Sequence, residues 1–313
     1  MRVEGRLALT LILICLGAGW GMTIPLIKII VEAGYPPLAI VFWQFVIISF
    51  LLAALIARRG TWPTVGRVPL LVWLFIALVG TLIPNAASYR ATLFLPAGVM
   101  AIIIASVPMF ALPIALLLGT DRLSFVRLLG LCAGLAGVAL IALPEASLPD
   151  RSMAAFLPLA LIAPFCYAVE ANVVGKWGTG PLDPVQVLFG ASVLGAVLTL
   201  PLALATGQWA APQVPYGVAD VTLVVTGLIH GAVYTAYVWL VGRAGAVFAG
   251  QVAYLVTGFG VIWSMLLLDE RYSGWVWAAL LLMLAGLALV QPRERLESDA
   301  TPGDTAPTSA KGR

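Results

Sequence analysis

The sequence predicts an all-α integral membrane protein of ten transmembrane helices, arranged as two inverted five-helix repeats. Three observations carry that prediction. The first is self-similarity: residues 17–118 reappear, shifted by 147 positions, as residues 164–265. Gly80 falls on Gly227, Pro37 on Pro184 and Phe42 on Phe189, and Ala97-Gly98 falls on Ala244-Gly245, since 245 − 98 = 147. Beyond that point the offset grows by two, so that Asp121-Arg122-Leu123-Ser124 faces Glu270-Arg271-Tyr272-Ser273. The second is composition: of 313 residues 62% are hydrophobic and 10% charged, with a mean hydropathy of +1.05. A soluble domain carries roughly 25% charged residues, so there is too little polar surface here to cover a globule in water, and the solvent is lipid. The third is the distribution of charge. With the N-terminus inside, the inner flanks hold Arg2, Arg6, Arg58, Arg59, Arg67, Arg122, Arg127, Lys176, Arg243, Arg293, Arg295, Lys311 and Arg313, and the outer flanks hold Lys28, Arg90, Arg151 and Arg271. That is 13 against 4, all 17 basic residues, and it places both termini in the cytoplasm. Five helices per repeat is an odd number, so the second copy enters the membrane upside down.

Breaking the apolar runs at charged or Pro/Gly-rich points gives spans at 7–30, 37–57, 69–90, 97–118 and 124–143 in the first repeat (1–146). In the second repeat (147–292) they fall at 154–175, 184–206, 218–240, 245–268 and 275–291. Each is close to the ~20 residues that cross about 30 Å of hydrocarbon. Arg2 and Arg6 ahead of an apolar run resemble a signal peptide, but residues 17–26 align with 164–173, and cleavage would leave one repeat short of a helix.

Taken in order, helix 1 offers Trp20 and Thr23, a bend at Pro25, and a Gly17-x-x-x-Gly21 face for close packing. Lys28 at its end is expected to snorkel by default, and it lies four residues before Glu32, within pairing reach. Helix 2 offers Trp43 and Gln44 and ends at Arg58-Arg59, whose counterparts Ala205-Thr206 end helix 7 on the opposite side. Helix 3 carries Thr81, Asn85, Ser88, Tyr89 and Thr92 on one face, with Pro84 inside it and Arg90 at its end, where snorkelling is the default. Thr81, Ser88 and Thr92 fit a structural role, since membrane Ser and Thr bond their own i−4 carbonyl. Helix 4 is bent by Pro108 and Pro113. Helix 5 is almost purely apolar around Gly130-x-x-x-Gly134, as is helix 10, so both belong to scaffold or to a homodimer face.

In the second repeat, helix 6 contains Pro164, Tyr167, Glu170 and, on another face, Asn172. Helix 8 carries His230, Tyr234 and Tyr237 at i, i+4 and i+7; Tyr237 and Trp239 are also candidates for the interfacial aromatic belt. Helix 9 adds Gln251 and Tyr254. Polar groups at mid-membrane are costly and face the bundle interior or a wet cavity. Trp20, Gln44, Asn85, Tyr89, His230, Tyr234, Gln251 and Tyr254 are therefore the candidate substrate-binding residues, although Asn85 and Gln251 also fit as interhelical glue. Tyr89, His230, Tyr234 and Tyr254 are expected to converge on one central pocket. Glu170 is the one carboxylate deep within a span and His230 the one histidine of the chain. Glu170 is the candidate proton carrier, or a partner for a cationic substrate group. The bland alternative is a hydrogen-bonded Glu170–His230 pair that locks helices 6 and 8 together.

Other chemistry is excluded. Cys15, Cys132 and Cys166 each sit alone in an apolar stretch and fit packing better than a disulfide or metal site. The net charge of +3 belongs to topology, not to a nucleic-acid patch. No H-E-x-x-H, C-x-x-C, G-x-S-x-G or G-x-x-x-x-G-K-[ST] motif is present, which argues against a membrane enzyme and ATP-driven transport and calls for no cofactor. A channel remains an alternative, but offset polar stripes in an inverted repeat suit an alternating site better. From Arg293 to Arg313 the chain turns polar and is expected to form a disordered tail.

At the level of motifs the chain resembles the drug/metabolite transporter superfamily, in particular proteins with two EamA-type domains of five helices. Ala18-Gly19-Trp20-Gly21-Met22 is similar to that family's small-Trp-Gly opening, Leu95-Pro96-Ala97-Gly98-Val99 and Arg243-Ala244-Gly245-Ala246 to its turn into helices 4 and 9, and Leu268-Asp269-Glu270-Arg271-Tyr272-Ser273 to its acidic turn. The chain departs from the pattern at Phe42-Trp43-Gln44, where many relatives are basic, and at Asp121, where Glu is usual. The resemblance implies an inner-membrane carrier that exports amino acids, other metabolites or drugs, and Phe42-Trp43-Gln44 weakens the case for an anionic substrate.

Overall fold

The computed structural model describes residues 3–122, 124–143, 147–212 and 214–290. The polar tail expected at 293–313 lies outside them. The described chain forms α1 (Val3–Glu32), α2 (Pro37–Arg59), α3 (Arg67–Thr92), α4 (Ala97–Leu117) and α5 (Phe125–Ala142). The second repeat supplies α6 (Arg151–Trp177), α7 (Pro184–Ala205), α8 (Val218–Ala244), α9 (Phe248–Leu268) and α10 (Gly274–Val290). Among the described residues there is no strand. Helices are what lipid allows, because each backbone N–H and C=O is then satisfied within its own segment. Nine are long and apolar enough to span a bilayer; α10, with 17 residues, is shorter and lies along the 18-residue α5.

Local chemistry sets the ends. Pro37 and Pro184 sit in first turns, where a missing N–H costs nothing, and Asp183 caps α7 by accepting from the Val185 and Gln186 amides. Ser124 caps α5, and Gly60 closes α2 in the left-handed conformation that terminates helices.

Packing reproduces the repeat. α1 packs against α8 and α9, and its equivalent α6 packs against α3 and α4. The α2–α8 pair is matched by α7–α3, while α2–α7, α4–α9 and α5–α10 are their own images. Exchanging the two repeats therefore returns these main helix pairs, as a pseudo-two-fold axis in the membrane plane requires, whereas α1–α4, α1–α3, α2–α3 and α4–α10 pack more closely than their images. Close approach follows the expected small residues: a β-carbon on Gly17 would lie 2.2 Å from Leu255 Cβ, and one on Gly130 would lie 2.9 Å from the Gly286 carbonyl.

Alternation of the spans puts the ends of α2 and α7 on opposite faces. Single cysteines at Arg59 and Thr206, in a background without the native thiols, are expected to label with a membrane-impermeant maleimide from opposite sides. Labelling of both from one side would contradict the fold.

Candidate functional site

The site begins with a defect in α3. Pro84 has no N–H to return to the Gly80 carbonyl four residues earlier. The helix accommodates the missing donor by widening into a π turn over Ile76–Leu82 before resuming as an α-helix. Gly80 lies on this widened turn and meets the carboxyl of Glu170 on α6. A β-carbon placed on Gly80 would stand 2.8 Å from Glu170 Oε2 and 3.0 Å from Oε1, so any larger residue there would push the carboxyl from this position. Glu170 is half-buried, and among the described residues its carboxylate has no hydrogen-bond partner. The Glu170–His230 bond that would lock α6 to α8 is not formed: His230 Nδ1 is buried without a partner.

Aromatic and polar side chains from five helices extend from this point. On one side Tyr167 of α6 donates to Asn85 Oδ1 of α3 at 2.9 Å, and Tyr89 of α3 donates to Gln44 Oε1 of α2 at 2.6 Å. Gln44 is 3% exposed, and its Nε2 donor is buried with no partner. On the other side Tyr234 of α8 is an electrostatic neighbour of both Glu170 and Tyr237. The Tyr237 ring lies 5.5 Å from that of Trp20 on α1, and Trp20 meets His230 edge-on at 6.3 Å. Tyr237 thus packs within the bundle, whereas Trp239 is 50% exposed.

The structure therefore brings together Trp20, Gln44, Asn85, Tyr89, Glu170, His230 and Tyr234, in two linked groups that meet at Glu170. Gln251 and Tyr254 are half-buried on the first turns of α9, beside Val252, Leu255 and Val256, which pack with Trp20 and Tyr237. Two members escaped the sequence reading of the site, Gly80 and Tyr167. Tyr167 carried a usable signal, since 20 + 147 = 167 makes it the repeat equivalent of Trp20. The same arithmetic, 23 + 147 = 170, pairs Glu170 with Thr23, which merely donates to the Trp20 carbonyl at 2.7 Å. A symmetric frame thus carries a carboxyl on one side only. Thr92 bonds the Ser88 carbonyl at 2.8 Å, as its structural role required, and Lys28 pairs with Glu32 at 3.2 Å. Lys28 also donates to the Thr92 and Leu95 carbonyls at the end of α3, so it serves that helix terminus instead of reaching toward lipid headgroups. Among the described residues no cluster could hold a metal ion.

Comparison with known proteins agrees with this architecture. The EamA-like transporter family matches residues 8–143 and again residues 155–291. The "Uncharacterized inner membrane transporter YedA" of Escherichia coli (strain K12) is 28% identical over 229 residues, covering 69% of this chain and 61% of YedA. The same protein of Escherichia coli O157:H7 aligns identically, so the chain spans less than two thirds of these relatives. A solved crystal structure shares the fold with a TM-score of 0.60 over 91% of this chain and 97% of its own, at 20% identity.

An unbonded carboxyl among apolar side chains is the form that dicyclohexylcarbodiimide modifies. Intact-mass measurement is expected to show one adduct on the native protein, lost in Glu170→Gln. Persistence of that adduct in the Gln variant would place the reactive carboxyl elsewhere.

Proposed function

Because the chain belongs to the EamA-like transporter family, we propose that it is a secondary carrier that moves a small organic solute outward across the inner membrane by alternating access, with Glu170 as the proton-coupling group. The observation that carries this reading is the Glu170 carboxyl, seated on the widened turn of α3 without a hydrogen-bond partner. A bare carboxylate enclosed by apolar walls is costly, and either a proton or a cationic group of the solute relieves that cost. A carrier that can close only when one of the two is present exchanges solute for protons.

The walls suggest the solute. Trp20, Tyr167, Tyr234 and Tyr237 offer large apolar faces with polar tips, and Gln44 Nε2 and His230 Nδ1 supply unused hydrogen-bonding capacity. Such a lining suits amphipathic molecules, neutral or aromatic amino acids above all. The Arg and Lys bias supports cytoplasmic termini. The inner-membrane placement follows YedA, whose name carries it.

In proteoliposomes, radiolabelled amino acid is expected to accumulate when a proton gradient is imposed. Glu170→Gln is expected to abolish that accumulation and to leave solute exchange intact, because exchange needs no net proton movement. Accumulation by the Gln variant at the native rate would exclude Glu170 as the carrier of protons, and joint loss of stability and of both activities would mark it as structural. Gly80→Ala, which forces the carboxyl aside, is expected to lower gradient-driven transport severalfold while the protein remains folded.

A further inference from the structure

The two faces of the molecule are built from equivalent turns in unequal states. On the face away from the N-terminus, Glu270 accepts from the first two amides of α4, Ala97 N at 2.7 Å and Gly98 N at 3.1 Å. Tyr272 donates to Glu270 at 2.5 Å and lies so close over Gly98 that a β-carbon there would stand 2.1 Å from the phenol oxygen. Burial, and then the Glu270 contact, pushes the Tyr272 phenol above its usual range, which keeps it the donor of that bond. Beneath this cover the start of α4 is sealed: Ala97, Val99 and Ala101 are 0% exposed and Met100 is 2%. A cavity of about 390 Å³ lined by Lys28, Glu32, Phe94, Met153, Glu270 and Arg271 sits directly over the seal.

On the N-terminal face the same parts are apart. Gly245, the equivalent of Gly98, is exposed, and nothing lies within 4 Å of its β-carbon position. Gly250, farther along α9, is likewise open, whereas its equivalent Ile103 is 1% exposed. Asp121, the equivalent of Glu270, is engaged within its own turn, by Arg127 at 2.5 Å and by the Arg122 amide at 2.7 Å.

From this asymmetry we infer that Glu270 and Tyr272 form a latch that closes the far face on the first turn of α4, and that Asp121 makes the matching latch on the first turn of α9 when the molecule turns over. Exchanging the conformations of two inverted repeats converts one facing into the other. The described conformer is then closed on the far face and open toward the N-terminal face. Release of Glu270 from the Ala97 and Gly98 amides is the event that admits solvent from the cavity above. The inference rests on the alternating-access reading but is tested by accessibility, not by transport.

The test uses Met100→Cys, one turn inside the latch, with Cys15, Cys132 and Cys166 replaced by Ala and an impermeant maleimide applied to the far face of sealed vesicles. Glu270→Gln removes the charge from two backbone hydrogen bonds and is expected to speed labelling about tenfold, the effect of losing one charge-assisted bond. Gly98→Ala, which displaces Tyr272 from Glu270 while keeping the carboxylate itself, is expected to do the same. Asp121→Asn is expected to slow labelling, because it weakens the state that opens the far face. Unchanged labelling in both folded variants Glu270→Gln and Gly98→Ala overturns the latch. Unchanged labelling in Asp121→Asn overturns its counterpart on α9. Faster labelling in a protein that moves no solute would fault the carrier reading and leave the latch standing.

Discussion

Backbone hydrogen bonding in a medium without water governs this molecule. In hydrocarbon an unpaired N–H or C=O costs several kcal/mol, so a departure from the regular helix has to be compensated within a turn or two. Pro84 is such a departure. Its missing N–H is absorbed by the π turn over Ile76–Leu82, and that turn presents Gly80 to α6. The seat of Glu170 thus follows from how one helix recovers from one proline. This proline makes room for a carboxyl.

The same constraint explains why the polar interior is sparse and why its members matter. Gln44, Asn85, Tyr89 and Tyr167 largely satisfy one another across α2, α3 and α6. Glu170, His230 Nδ1 and Gln44 Nε2 are left over. Groups that a protein could have paired and did not are spare capacity, and at the centre of a bundle that capacity faces whatever enters. Tyrosine dominates the lining because it places a polar tip at the end of an apolar body and loses little rotamer freedom on packing.

Much of this was legible in the chain. The offset of 147 residues, the odd number of spans and the Arg bias specify the inverted repeat without coordinates, and helical periodicity finds the stripes on α3 and α8. Periodicity tells which residues share a face but not which faces meet. It therefore could not decide whether Tyr254 and Gln251 share a space with Tyr89 and Tyr234, and it left Tyr237 between belt and interior. Gly80 was visible only as a landmark of the repeat, because a glycine's role in receiving another helix's side chain has no signature on its own helix. Lys28 was read through its neighbour Glu32, while its stronger commitment, to the carbonyls that end α3, crosses 64 residues of sequence.

The two acidic turns differ in more than their present bonds. Glu270 has one methylene more than Asp121, and the segment from Gly245 to Glu270 is two residues longer than that from Gly98 to Asp121, since 270 − 245 = 25 and 121 − 98 = 23. Equal structures facing opposite sides would rest half of the time each way. Unequal ones have a preferred resting orientation, and a solute meeting the disfavoured mouth encounters a smaller competent fraction and a weaker apparent affinity. Detailed balance forbids that bias from pumping anything by itself: without a gradient, the ratio of maximal rate to half-saturation must be the same in both directions. In a carrier built this way, unequal turns would set the concentration range over which each side of the membrane is sensed, while the direction of net flow would be left to the gradients across it.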